Sequence, residues 1–209
     1  MLELAPGERV AVVGCGGKTG VVELLFGEAA PLRALIAPTT RILPPPPGVF
    51  CLGVPDPPTG KLLAAPLEEI ERASADYDIT LMEADGSRAL PLKGWADWEP
   101  VVPAFTTLTL GVVGARALGL SATGEHVHRL DRFLALTDLD EGDVVDARAI
   151  ARMILAPGGM LAKAVGRTAL LINQADAQDA LPIARAVRAQ SNLPIFVGSV
   201  WQKKWEVYR

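Results

Sequence analysis

Residues 9–19 read Arg-Val-Ala-Val-Val-Gly-Cys-Gly-Gly-Lys-Thr, and the rest of the chain is interpreted outward from this stretch. Residues 9–13 form an apolar run typical of a buried strand, and helical spacing begins near Lys18. Glycines between a strand and a helix let successive backbone N–H groups surround phosphate oxygens, and the helix N-terminus adds partial positive charge. We therefore predict a turn that binds a nucleotide through Gly14, Cys15, Gly16, Gly17, Lys18, Thr19 and Gly20.

Lys18 and Thr19 carry the chemistry of this predicted turn. A lysine at this place reaches the β- and γ-phosphates, and the hydroxyl that follows it helps to hold Mg²⁺. The pattern is a shortened G-x-x-G-K-T, because Val12 stands where the first glycine of G-x-x-x-x-G-K-[ST] would fall. Two alternatives remain open: a turn that serves only tight packing, and a dinucleotide-binding turn, whose third glycine would fall at Thr19.

Strand-like and helix-like segments alternate along the chain. Short apolar runs recur at 9–13, 32–37, 49–53, 78–83, 107–113, 168–173 and 195–199. Helical spacing is found at 18–30, 67–75, 146–155 and 177–190, with a further helix near 128–136. Continuous apolar strands connected by helices are typical of a parallel sheet covered on both faces. We predict an α/β fold, a three-layer sandwich with a mostly parallel sheet flanked by helices, in one domain over residues 1–209.

Composition excludes several classes of protein. Hydrophobic residues make up 50% of the 209 residues, which suits a globular core, and the net charge of −4 has the wrong sign for a chain that neutralises many nucleic-acid phosphates. Cys15 and Cys51 are too few for a disulfide framework, so a reducing compartment is expected. Residues 1–8 lack the pattern of an export signal, and no apolar stretch is long enough to span a membrane. We expect a cytoplasmic protein that binds neither nucleic acid nor membrane.

A second magnesium ligand is expected where the strand at 78–83 ends. The chain continues there as Glu-Ala-Asp-Gly over residues 83–86, and either Glu83 or Asp85 could bind the ion. The metal candidates are Thr19, Thr39, Thr40 and Glu83, and the catalytic candidates are Lys18, Glu83 and Asp85. An ordinary surface turn after the strand is the alternative interpretation.

The strand at 168–173 ends in Asn173-Gln-Ala-Asp176, which occupies the place of the N-K-x-D guanine reader. Asp176 would accept hydrogen bonds from the ring N–H and amino group of guanine. Gln174 replaces the lysine, so the cationic cover of the base is lost. We predict Asn173 and Asp176 as nucleotide ligands and favour GTP over ATP. An Asn or Asp helix cap is the alternative.

Residues 84–104 form a long segment without helix or strand periodicity, and loops of this length tend to be functional. It holds charged and aromatic side chains directly after the proposed magnesium strand, so it could bind a second substrate or a partner, with plain loop packing as the alternative. The candidates for such contacts, here and farther along the chain, are Ser87, Arg88, Lys93, His128 and Arg129.

These motifs together resemble one family. Val-Gly-Cys-Gly-Gly-Lys-Thr at 13–19, Met-Glu-Ala-Asp-Gly-Ser-Arg at 82–88, Leu-Pro-Leu-Lys at 90–93, Glu-Pro-Val-Val-Pro at 99–103, Val-His-Arg at 127–129 and Asn-Gln-Ala-Asp at 173–176 are similar to the selenium-dependent molybdenum hydroxylase accessory proteins of the YqeC type. The resemblance implies a P-loop NTPase-like fold and a role in maturing molybdenum hydroxylases, at the enzyme or its cofactor. Gly20, Arg88 and Gln174 depart from the family pattern.

We therefore expect a magnesium-dependent nucleotide-binding accessory protein, with GTP or ATP as ligand. No residue stands out as a catalytic base. Three functions stay open at this point: slow NTP hydrolysis coupled to delivery, transfer of a phosphoryl or nucleotidyl group to a small acceptor, and nucleotide or cofactor binding without turnover.

Overall fold

The structure is a computed structural model that describes residue 2 and residues 4–209. Its strands are β1 (Glu8–Gly14), β2 (Ala34–Ile36), β3 (Gly53–Asp56), β4 (Lys61–Ala64), β5 (Ile79–Glu83), β6 (Leu92–Lys93), β7 (Leu108–Gly114), β8 (Val127–His128), β9 (Arg167–Asn173), β10 (Ile195–Ser199) and β11 (Lys204–Tyr208). Its α-helices are α1 (Lys18–Glu28), α2 (Leu67–Ser74), α3 (Leu130–Thr137), α4 (Ala147–Leu155) and α5 (Leu181–Arg188).

A seven-stranded sheet organises the chain, in the order β11-β10-β9-β7-β1-β5-β2. Its pairs are parallel except at one edge, where β11 runs antiparallel to β10. The chain leaves β1 toward β2 and β5 on one side of it, and the connection from β5 then crosses to β7 on its other side. In open parallel sheets a crevice forms at the carboxyl ends of the strands where the order reverses in this way. The residues that follow β1, β5 and β7 therefore meet at one place.

Alternate residues of β1 enter two separate hydrophobic cores. Val10 and Val12 pack with α1 on one face of the sheet, and Ala11 and Val13 pack on the other face with residues of α2, α4 and α5. A strand buried on both faces has no solvated side, which explains its continuous apolar sequence. The predicted α/β class with a mostly parallel sheet flanked by helices is confirmed, and the arrangement is compatible with three layers.

Local sequence explains where several helices begin and end. Helix α4 begins after Asp146, whose carboxylate accepts a 2.7 Å hydrogen bond from the backbone N–H of Ala149. Helix α1 ends at Glu28, two residues earlier than predicted, and Pro31 follows shortly after. Helix α5 begins only at Leu181, with Pro182 in its first turn, so the predicted helix at 177–190 was too long at both ends.

One predicted strand was wrong. Residues 49–52 make only an isolated bridge between Cys51 and Ile36, and the regular pairing begins at Gly53, in the antiparallel hairpin of β3 and β4. Strand β11 and the short pair of β6 with β8 were also missed. Residues 84–104, predicted as a loop, are irregular apart from β6. Over the described residues, no helix is long and apolar enough to cross a membrane.

Candidate functional site

The turn between β1 and α1 has three glycines at positive φ, and two of them are also held by close contacts with the backbone of β7. Gly14 and Gly16 have φ angles of 109° and 101°, in the left-handed region that L side chains avoid. A Cβ at Gly14 would come within 2.2 Å of the Val112 carbonyl oxygen, and one at Gly16 within 2.2 Å of the Gly114 backbone nitrogen. The turn is therefore packed directly against the end of β7. We call residues 14–20 the glycine-rich turn.

Backbone N–H groups of the glycine-rich turn divide into two sets. The Gly14 N–H donates to Asp85, and the Cys15 N–H donates to the Val112 carbonyl, so both are engaged inside the protein. Within the part of the chain that the structure describes, the N–H groups of residues 16–20 have no hydrogen-bond acceptor. These five donors lie at or just before the N-terminus of α1, where unpaired N–H groups suit an anion.

Lys18 is buried below the turn. Its ammonium group donates a 2.6 Å hydrogen bond to the Gly14 carbonyl and lies 3.3 Å from the Asp85 carboxylate and 3.9 Å from that of Glu83. Burial alone would lower the pKa of Lys18, but Asp85 and Glu83 raise it above its usual value. The side chain therefore carries a full positive charge at neutral pH.

Thr19 and Glu83 form the oxygen pair expected of a magnesium site. The Thr19 hydroxyl donates a 3.0 Å hydrogen bond to the Glu83 carboxylate across the gap between α1 and β5. Burial raises the pKa of Glu83 despite the nearby Lys18. Among the described residues, no three His, Cys, Asp or Glu side chains cluster around a common point. Two hard oxygen ligands are nevertheless what Mg²⁺ takes from a protein when phosphates and water complete its shell, so this pair fits the ion.

Asp85 is saturated by protein donors. One carboxylate oxygen accepts from the Gly14 N–H at 3.0 Å, and the other accepts from Lys93 at 3.2 Å and from the Trp95 indole at 2.6 Å. Burial would raise the pKa of Asp85, but Lys18 and Lys93 hold it below its usual value. Asp85 thus anchors the glycine-rich turn, and of the two acids it is Glu83 that contacts Thr19.

The two threonines after β2 lie near these acids but are oriented differently from Thr19. The Thr39 hydroxyl donates a 2.6 Å hydrogen bond to the Val101 carbonyl, and its N–H donates to the Glu83 carbonyl. Thr40 lies beside Gly86, where an added Cβ would meet its hydroxyl at 3.8 Å. Both therefore border the residues that follow β5.

A cavity of about 960 Å³ adjoins the turn and is lined by predicted base-reading residues. Asn173 bridges two loops, because its side chain donates to the Gly16 carbonyl at 2.9 Å and accepts from the Val200 N–H at 2.9 Å. Asp176 is exposed on the cavity wall. We call this space the Trp201 cavity. Its further lining includes Gly17, Gly20, Arg116, Ser199, Trp201 and Lys203.

Sequence reasoning missed Trp201 and Arg116. Trp201 is 89% exposed in the turn between β10 and β11 and is one of the residues that line the cavity. A tryptophan just after the apolar run at 195–199 and before polar residues was the available signal, since a large aromatic side chain in a polar segment often serves binding. Arg116 follows β7 in sequence, and it lies near the glycine-rich turn because β7 is the neighbour of β1 in the sheet.

A second cavity, of about 760 Å³, adjoins the same turn and is lined by the predicted substrate residues Ser87 and Arg88. Lys18, Thr19 and Glu83 form its boundary with the glycine-rich turn, and residues preceding and within the β3–β4 hairpin form another wall. We call it the Arg88 cavity. Gly17 and Gln174 line both cavities, so the two spaces meet at the turn.

The remaining candidates lie in a buried ion-pair network apart from both cavities. Lys93 is fully buried, and its ammonium group lies 2.9 Å from Glu99 as well as 3.2 Å from Asp85. Arg129 contacts the same Glu99 at 2.6 Å and stacks over the exposed Trp98 ring. His128 is paired in register with Lys93, and burial together with Arg129 lowers its pKa.

Comparison with known proteins identifies the family. A family model described as "YqeC protein" matches residues 10–131, and the chain is 30% identical over 177 residues to the "Uncharacterized protein YqeC" of Escherichia coli (strain K12). That alignment covers 72% of this chain and 68% of the relative. The chain belongs to the YqeC family. The predicted family resemblance is thereby confirmed. No solved structure matches the chain.

The stretch matched by the YqeC model contains the glycine-rich turn, both acids after β5 and the ion-pair network up to Arg129. Asn173, Asp176 and Trp201 lie beyond the matched residues. The glycine-rich turn and the neighbouring acids are thus inside the stretch that the family model matches, whereas half of the residues that line the Trp201 cavity lie outside it.

Proposed function

We propose that this YqeC-family chain binds a nucleoside triphosphate with Mg²⁺ in a P-loop-like site at the glycine-rich turn. The observation that carries the proposal is the set of five backbone N–H donors at residues 16–20, which have no acceptor among the described residues and border two cavities. Unpaired donors at a helix N-terminus are stabilised by an anion of the size of a phosphate.

Lys18 supplies the positive charge for the terminal phosphates. Its ammonium group donates to the Gly14 carbonyl at 2.6 Å and lines the Arg88 cavity, so a small rotation would bring it from this carbonyl to a phosphate oxygen. Asp85 and Glu83 keep the lysine charged through the raised pKa. An ammonium group fixed in advance stabilises negative charge at a phosphate without costly reorganisation.

Magnesium would be held by Thr19 and Glu83. The hydrogen bond between the two side chains sets their oxygens 3.0 Å apart. These oxygens would be the protein ligands of the ion, and a phosphate oxygen of the nucleotide would be a further ligand. When bound, the ion neutralises charge that builds up on the β- and γ-phosphates. Binding the ion also favours the ionised form of Glu83, which burial alone disfavours.

The nucleoside would occupy the Trp201 cavity, with GTP preferred over ATP. Asn173 fixes the loop that carries Asp176, since it ties Gly16 to Val200. The exposed Asp176 carboxylate would accept hydrogen bonds from the ring N–H and amino group of guanine, a donor pair that adenine does not offer at the same edge. Gln174 lines the cavity where a lysine would otherwise cover the base.

Hydrolysis at this site would be slow. The side chains near the proposed γ-phosphate are Lys18, Thr19 and Glu83, and each is engaged in charge neutralisation or metal binding. None of them is free to activate a water molecule. The proposal includes the accessory role that the family resemblance implies, in the maturation of selenium-dependent molybdenum hydroxylases, and a cytoplasmic location, which two free cysteines suit. A module that binds nucleotide without turnover is the second candidate, favoured by the same lack of a base.

The test is an equilibrium titration of the chain with GTP and ATP, each with and without Mg²⁺, together with the variant Thr19→Ala. We expect saturable binding that tightens with Mg²⁺ in the parent chain and responds far less to Mg²⁺ in the variant. Absence of binding for both nucleotides would refute the proposal. Measuring released phosphate in the same samples separates a slow NTPase from a module that only binds.

A further inference from the structure

The Arg88 cavity carries more positive charge than a nucleotide requires. Among the described residues, four cationic side chains line it, and Glu83 is the single acid in its lining. The chain as a whole has a net charge of −4, so this concentration of cations runs against its overall composition. The four cations are Lys18, Arg41, Lys61 and Arg88.

Two of these cations are engaged by the protein and two are not. Lys18 contacts Asp85, and Arg41 lies 3.5 Å from Asp56. Within the part of the chain that the structure describes, the side chains of Lys61 and Arg88 have no ion pair or hydrogen bond. Both side chains are exposed and line the same cavity, so an anionic ligand that reached both would gain two charge-assisted hydrogen bonds.

Backbone conformation holds Arg88 at the cavity wall. Arg88 and Ala89 have φ angles of 53° and 61°, and two successive L residues in the left-handed region cost conformational free energy. The strain is imposed from both sides, because Asp85 is fixed by its hydrogen bonds and Lys93 by its ion pairs. The segment between these anchors is thus constrained where it carries the free cation.

The opposite wall of the cavity is partly apolar and comes from a different element. Ile42 and Leu43 precede the β3–β4 hairpin, and Leu43 is 64% exposed. Leu90 and Pro91 continue the apolar surface next to Arg88. A binding space lined by both cationic and apolar side chains suits an organic molecule with a charged group better than a free inorganic ion.

We propose that the Arg88 cavity binds a phosphate ester of a small organic molecule beside the nucleotide. Lys61 and Arg88 bind the phosphate group, and the residues around Leu43 and Leu90 contact the organic part. This inference rests on the proposed function, because the glycine-rich turn, Lys18 and Mg²⁺ then account for the nucleotide phosphates. Because Arg41 is paired with Asp56, Lys61 and Arg88 are the two cations that can bind a second anion. The arrangement places that ligand next to the terminal phosphate of the nucleotide.

Calorimetry with phenyl phosphate tests this proposal, with phenol as the uncharged control ligand. The titration is run on the chain alone and on the chain saturated with Mg²⁺ and the β,γ-imido analogue of GTP. The variants are Arg88→Gln and Lys61→Gln, and Arg148→Gln removes an exposed arginine of α4 as the matched control. Nucleotide affinity and thermal unfolding are measured for every variant.

We expect phenyl phosphate, and not phenol, to bind the nucleotide-saturated parent chain and Arg148→Gln. Loss of either cation should lower the affinity for phenyl phosphate about tenfold, which is the usual effect of losing a hydrogen bond to a charged group. The affinity for the nucleotide should fall by a smaller factor. Failure of phenyl phosphate to bind while the nucleotide binds would overturn this inference and leave the proposed function intact. Displacement of the nucleotide, or equal affinity in all four proteins, would also overturn it.

Absence of nucleotide binding would instead refute the proposed function. The titrations of phenyl phosphate without nucleotide then test the Arg88 cavity by themselves. Weaker binding of phenyl phosphate to Arg88→Gln and Lys61→Gln supports the proposed phosphate ester site, and unchanged binding in both variants overturns it.

Discussion

The Lys18 ammonium group and the Asp85 carboxylate lie 3.3 Å apart, and both side chains are buried beneath the glycine-rich turn. Asp85 also accepts the Gly14 N–H, so one carboxylate fixes both the backbone of the turn and its cation. Lys93 and Trp95 hold the other oxygen of the same carboxylate. The position of Lys18 is therefore set by residues that follow β5, which couples two segments about seventy residues apart in sequence.

Replacing Asp85 with Asn is expected to destabilise the fold by roughly 3–5 kcal/mol, because it leaves the buried Lys18 and Lys93 without their shared counter-charge. Chemical denaturation at neutral pH measures the loss. Glu125→Asn, at an exposed acid, is the matched control and should leave the free energy of unfolding nearly unchanged. A loss below about 1 kcal/mol for Asp85→Asn would contradict the anchoring role.

The same carboxylate should make stability depend on acid pH. The pKa of Asp85 lies below its usual 3.8 in the folded chain, so its stabilising contribution is complete above that value and is lost as pH falls through the lowered folded pKa. The difference in unfolding free energy between the parent chain and Asp85→Asn should therefore narrow below about pH 4. A difference that stays constant down to pH 2 would contradict this linkage.

Gly16→Ala is expected to disrupt the turn. The new Cβ would overlap the Gly114 backbone nitrogen, and the φ of 101° is unfavourable for alanine. Nucleotide binding should fall at least tenfold, since the loop must move away from β7 and its N–H groups are displaced. Gly124→Ala is the control, because nothing lies within 4 Å of its added Cβ. Fluorescence titration with a labelled GTP compares the two; similar affinities would be incompatible with the described turn.

Asp176→Ala should change base selectivity rather than phosphate binding. Asp176 is exposed and lines the Trp201 cavity. Loss of its carboxylate is therefore expected to lower the affinity for GTP about tenfold and to leave the affinity for ATP nearly unchanged. Asp179→Ala, at an exposed acid three residues later that does not line this cavity, is the control. Competition between GTP and ATP measures the ratio. An unaltered ratio would show that Asp176 does not read the base.

Trp201→Ala is expected to weaken both nucleotides by a similar factor, about five- to tenfold, because ring stacking on a base is tolerant of base identity. Trp98→Ala removes another exposed tryptophan, which lines neither cavity. Stopped-flow measurement of nucleotide dissociation should show faster release only for Trp201→Ala. Equal dissociation rates in the two variants would show that the base does not bind in the Trp201 cavity.

Much of the fold was predictable because long apolar runs and helical spacing report burial directly. Strand β1, its glycines and α1 follow each other in sequence, so local patterns define them. The β3–β4 hairpin escaped prediction because Pro55 lies inside a strand and the hairpin pairs with itself outside the main sheet. Strand β11 alternates polar and apolar residues at the antiparallel edge, a signal that was present but unused.

The candidate site divides in the same way. Lys18, Thr19 and Glu83 were predictable because each lies at the end of a recognisable element. Lys18 and Thr19 begin α1, and Glu83 is the last residue of β5. The buried pairing of Lys93 with Asp85 and Glu99 was not, since a lone lysine in an irregular segment gives no sign of burial. Trp201 and Lys61 depend on which loops meet at the carboxyl ends of the strands, and only the sheet order provides that information.

The most direct test of the central claim compares Mg²⁺-dependent GTP binding by the parent chain, Lys18→Ala and the control Lys163→Ala, an exposed lysine distant in sequence. The account predicts that Lys18→Ala weakens binding at least tenfold, about 1.4 kcal/mol, while Lys163→Ala binds like the parent. Unchanged affinity in Lys18→Ala, measured on a variant whose thermal unfolding remains cooperative, would contradict a nucleotide site at the glycine-rich turn.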